Sequence, residues 1–248
     1  MADARANDRR RRYPGGAPEV GRHLVIRGHP VNVGRPVNER FHRWLPWLFA
    51  GVMALTRWPG LMPPNFSAAY AFVFCAGALL PGTRAWTMPI GVMLATDLAL
   101  NAYYQFARGW DVFTLAGAAL LLANYAGYGV LFGLGRWFRP RARWGTMLAG
   151  GVLGAIVFYL VTNTAAWLFN PFRNPEYTRN LAGWLIALTK GTGGYPQTWE
   201  FFRNTLLSGG LFTALFSAAW VMTAAESPAD KGESADTEGE EQPVEAEG

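Results

Sequence analysis

Between Phe41 and Ala225 the chain carries four acids, Asp97, Asp111, Glu176 and Glu200, set among long apolar runs joined by short arginine-bearing loops. No motif constrains the fold as much as this distribution does. Length alone would allow a soluble domain, but this layout is that of a polytopic membrane protein. The chain is 51% hydrophobic, yet its mean hydropathy is only +0.08, because two polar ends dilute the middle.

Those ends read as solvated. Residues 1–42 hold the block Arg9 to Arg12, scattered prolines and glycines, and no apolar periodicity, which describes a disordered basic arm. An arm drawn to anionic lipid, or one that only sets topology, requires fewer assumptions than a nucleic-acid partner. A cleaved signal is not expected, because the first apolar run starts about thirty residues after the arginines. Residues 226–248 (ESPADKGESADTEGEEQPVEAEG) form an acidic tail that cannot bury a core.

The middle, 43–225, predicts an all-α domain of about six transmembrane helices, since about 20 apolar residues cross the hydrocarbon core. The candidate spans are 43–59, 66–82, 85–104, 112–135, 144–169 and 204–223. The first two are short and flanked by Pro59, Pro63 and Pro64, so tilted, broken or partly re-entrant segments are expected there. The most basic internal loop is 136–143 (RWFRPRAR); placing it and the arginine-rich start inside leaves both termini cytoplasmic. The segment 170–203 then lies outside despite Arg173, Arg179 and Lys190. Within it LAGWLIALT predicts a short interfacial or re-entrant helix.

Asp97 falls in the outer half of the third span, where an ionised acid costs about 2.5–3.5 kcal/mol and so faces a bundle interior, a partner or a wet cavity. Other polar groups arrive at that level: Asn163 and Trp167 late in the fifth span, Asn65 at the mouth of the second, Arg203 and Asn204 opening the last. Together they predict an outward-facing solute-binding site, with Arg203 or the amides as partners for Asp97. The plainer reading is interhelical glue, each hydrogen bond worth about 0.6–2 kcal/mol; Asn101, Asn124 and Thr162 fit it equally well. Tryptophans 44, 58, 86 and 144 sit near span ends, as an aromatic belt requires.

All three histidines precede the first span, Cys75 is the sole cysteine, and no P-loop is present. Neither a catalytic nor a metal centre is therefore expected inside the bundle, nor a cofactor. Small residues recur at helical spacing in Ala50/Ala54, Gly129/Gly133 and Gly150/Gly154, which lets helix backbones approach closely.

The stretches PPNFS (63–67), ATD (95–97), VTN (161–163), YPQTW (195–199) and FFRNTLL (201–207) resemble an uncharacterised family of small bacterial multi-span proteins over about residues 60–220. Ala68, Thr96 and Gly209 depart from its pattern. At fold level the layout is similar to the substrate-binding S components of energy-coupling-factor transporters. That resemblance implies a bacterial inner-membrane location and a coupling membrane subunit served by separate ATPases, with Ala50 and Ala54 as the docking surface. The leading expectation is a small-solute-binding transporter component using Asn65, Asp97, Asn163, Trp167, Arg203 and Asn204. The alternative is a structural or assembly protein whose polar cluster locks the bundle. A membrane enzyme is the remaining class, with Glu200 as its only external base. The first two readings differ over Asp97: a binder leaves it open to a pocket, and a lock pairs and packs it.

Overall fold

The computed structural model describes residues 23–26, 29–32, 39–141 and 143–223. The arginine block Arg9 to Arg12 and the acidic tail lie outside the described residues. Within the arm, β1 (His23–Ile26) pairs antiparallel with β2 (His29–Asn32).

The bundle that follows is all-helical: α1 (Glu39–Thr56), α2 (Ala69–Leu79), α3 (Arg84–Ala102), α4 (Leu115–Phe138), α5 (Trp144–Phe169), α6 (Leu181–Thr189) and α7 (Thr198–Met222). Among the described residues, α4, α5 and α7 are long and apolar enough to cross a membrane. α1 and α3, with 18 and 19 residues, carry more polar groups and an internal proline each, Pro46 and Pro89. α3 continues through a wider π turn, Tyr103–Ala107. The short helix expected at LAGWLIALT is α6, whose first turn is capped by Asn180 accepting from the Gly183 N–H.

Polarity runs inside out. Along α7, Leu207, Leu211 and Leu215 recur every fourth residue on the exposed side, while Asn204, Thr205, Ser208, Thr213 and Ser217 are buried. A water-soluble helix would hide the leucines; exposed large apolar side chains on this scale need a bilayer around them.

α2 is the centre. Its 11 residues span about 16 Å at helical rise, roughly half a hydrocarbon core, and ten of them are buried. A helix apolar all round belongs inside, and α3, α4, α5 and α7 pack about it. Its approach to α4 is backbone to backbone: a methyl at Gly77 would collide with the Phe132 carbonyl, and one at Gly135 with the Phe74 carbonyl. Gly150 and Gly154 likewise accept Phe74 and Leu131 side chains, whereas Gly129 and Gly133 face open space. On the other side α5 and α7 close through Gly151 against Thr213 and Gly209 against Ala155.

Candidate functional site

The polar cluster forms where α1 ends. Arg57 follows the last turn of α1, and its guanidinium Nη2 pairs with Asp97 Oδ1 on α3. Its other terminal nitrogen, Nη1, reaches Met93 Sδ, one turn earlier on α3, at 3.4 Å. From α4, Tyr125 Oη donates to Asp97 Oδ2 at 2.8 Å. Both carboxylate oxygens are therefore engaged, and Asp97 is only 8% exposed. An opposite charge and a donor on the remaining oxygen are what an acid needs in a low-dielectric setting. Behind the cluster an aromatic series leads inward, Tyr125 to Tyr128 (centroids 6.0 Å), Tyr128 to Phe158 (4.9 Å) and Phe158 to Tyr70 (5.0 Å).

The partner expected for Asp97 is corrected by this geometry. Arg203 is exposed on α7, with its guanidinium 5.5 Å from the Trp199 ring centroid, and Arg57 takes the place assigned to it. The signal was in the sequence. Arg57 is the only charged residue between Arg43 and Arg84, and Asp97 the only one between Arg84 and Arg108. Two lone opposite charges, one just after α1 and one late in α3, are each other's natural partners. Tyr125 carried no such signal.

The remaining predicted residues hold the fold at the same end rather than converge on Asp97. Asn204 Nδ2 donates to the Pro64 carbonyl at 2.9 Å, tying α7 to the loop that enters α2. Asn65 in that loop is exposed and has positive φ, 59°. Asn163 donates to Tyr159 O of its own helix at 2.9 Å, and Trp167 Nε1 donates to Thr178 O at 2.8 Å. Thr56, at the end of α1, donates to Met53 O and accepts from the Ala68 N–H, both at 3.0 Å, closing the same loop. Glu200 accepts from the Gln197 N–H at 3.2 Å in the capping box of α7. Ala50 is buried in the core and Ala54 is half-buried, while Gly51 and Leu55 are exposed on the outer side of α1.

A cleft of about 830 Å³ opens at the opposite end, between the first halves of α1 and α3. Trp44 and Trp47 line it from α1, Met88 and Val92 from α3, and Leu80 after the end of α2. Arg43, Arg84 and Arg139 also line it, and no acid does among the described residues. Arg139 donates to Leu80 O at 3.2 Å. One wall is pinned to α7 by His42 Nδ1 and Thr223 Oγ1, 2.8 Å apart, and by the Trp220 ring, 4.2 Å from the His42 ring. The described residues contain no group of three or more His, Cys, Asp or Glu side chains arranged to hold a metal.

No curated protein and no solved structure matches the chain. One family does, over residues 38–230, a span that takes in every helix from α1 to α7. The chain belongs to the family of unknown function DUF6580.

Proposed function

We propose that the chain is a six-crossing protein of a bacterial inner membrane, both ends cytoplasmic, that serves as a structural or assembly component. In this reading Arg57, Asp97 and Tyr125 lock α1 and α3 onto α4. One observation carries it: Asp97 is buried with both carboxylate oxygens already engaged. A ligand-binding acid has to offer its charge to something that arrives, and the charge of this one is already paired with Arg57. The crossings are α1 to α5 and α7, with the loop 57–68 completing the path of the short α2. The arginine-bearing turn around Arg136, Arg139 and Arg143 supports a cytoplasmic position for that end. The role is non-catalytic, since Glu200 serves as a helix cap.

A second reading, a small-solute-binding transporter component similar to an S component, is favoured by the cleft, whose volume lies in the range of about 300–1,000 Å³ typical of ligand sites. The solute then enters between α1 and α3 and not at Asp97. The coupling subunit and its ATPases would engage the exposed side of α1, around Gly51 and Leu55, because Ala50 faces the core.

Native mass spectrometry of the detergent-purified protein, wild type and Asp97→Asn, separates the two. The lock reading expects no solute on either protein and earlier melting of the variant. A water-soluble small molecule or a coupling subunit retained by the wild type overturns it.

A further inference from the structure

We propose that the cleft between α1 and α3 holds an anionic phospholipid of the surrounding bilayer, its acyl chain against Trp47 and Met88 and its phosphate at Arg43 and Arg84. The proposal is independent of the lock. It rests on how charge and apolar surface are divided within one cavity. The walls are mostly tryptophan, proline, leucine, methionine and valine, while among the described residues the charged lining is three arginines. An apolar slot with a cationic rim complements an amphiphile that carries a negative head. A small polar solute would leave most of those walls unsatisfied.

The position agrees with this occupant. Arg43, Arg84, Trp44 and Trp47 are all exposed, so the cleft opens sideways between two helices, towards the bilayer that supplies the lipid. Arginine pairs with phosphate in planar, bidentate geometry, and tryptophan sits at the headgroup level with its ring on the acyl side. α1 and α3 are drawn together by the ion pair at one end; the lipid would fill the space between them at the other. The acidic tail, residues 226–248, is the competing occupant, because in sequence it follows α7, whose Trp220 lines the cleft. It has the charge but almost none of the apolar side chains needed to fill the slot.

The test is competition between phosphatidylglycerol and phosphatidylcholine, offered in equal amounts to the full-length detergent-solubilised protein and read by native mass spectrometry. The wild type is expected to retain phosphatidylglycerol preferentially, and Arg43→Gln with Arg84→Gln to weaken that preference by about fivefold for each arginine removed. Arg203→Gln, at the other end of the bundle, should leave it unchanged. Gly91→Leu provides an uncharged check. Gly91 lines the cleft and its missing side chain would meet nothing within 4 Å, so a leucine there should expel lipid without lowering the melting temperature. Equal retention of the two lipids by the wild type overturns the proposal, as does a preference that survives both the double variant and Gly91→Leu. Selectivity that emerges only when residues 226–248 are removed would assign the cleft to the tail instead, and overturns it equally.

Discussion

The two sides of the bundle are held by different physics. Around α2, the helices α4, α5 and α7 are joined by close backbone approach: glycines at 77, 135, 151 and 209 admit carbonyls and side chains where any larger residue would collide. On the α1–α3 side there is no comparable seam; the helices meet at one charged cluster and separate around a cleft. Lipid is as apolar as leucine, so helix association inside a membrane draws on packing and polar contacts. One side of this protein relies on many small packing contacts, and the other adds to the buried apolar face of α1 a single costly charged interaction. Damage should therefore be graded on the first side and abrupt on the second.

The sharpest way to break that contrast is Arg57→Gln, which leaves Asp97 buried without its counter-ion. A loss of about 3–5 kcal/mol is expected for one partner removed from a buried pair, read as a fall in thermal midpoint in detergent. Next is Gly135→Val, expected to cost about 1–3 kcal/mol through overpacking against the Phe74 carbonyl. The same change at Gly129, which faces open space, should leave the midpoint near wild type; equal effects at both glycines would dissolve the proposed seam. Tyr125→Phe deletes one hydrogen bond to a charged group and should cost about 1.5 kcal/mol. Asn204→Ala loosens the loop entering α2 and should cost about 0.6 kcal/mol, the average for such bonds within membranes.

The smallest effect lies outside the bundle. Glu176 Oε1 accepts from the Gly193 N–H at 2.9 Å, and that backbone donor, then its own N–H, holds the carboxyl below its ordinary value of 4.5. A depressed carboxylate contributes above its unfolded pKa and loses that contribution as pH falls through the folded one. Protection of the Gly193 amide against hydrogen exchange should therefore drop on acidification below pH 4.5, and Glu176→Gln should remove that pH dependence.

What the sequence made legible follows from what membranes demand. The boundaries of α5 match the span 144–169, and α6 is the segment LAGWLIALT, because long apolar runs and their polar interruptions leave direct traces. α2 emerged much shorter than the span 66–82, since an apolar run does not separate the residues of a helix from those of the loops that flank it. α7 begins at Thr198, ahead of the expected 204, because its capping box with Glu200 extends the helix beyond its apolar part. At the site, the importance of Asp97 was readable from its isolation. Its surroundings were not: Asn65, Asn163, Trp167, Arg203 and Asn204 are expected at its level, yet each turns to another partner or to solvent, because a position along a helix fixes height and not azimuth around the bundle. The lone cation Arg57 was the stronger clue. The cleft left no trace in any single segment, being assembled from parts of α1, α3, α7 and the turns after α2 and α4.

If Arg57 and Asp97 act as one interhelical lock, a double-mutant cycle must show them coupled. Thermal midpoints of wild type, Arg57→Gln, Asp97→Asn and the double variant in one detergent would be compared. Each single variant should melt well below wild type, and the double variant should recover much of the loss, since neither charge is then stranded. Strictly additive losses would contradict it, and would mean that the two residues act separately.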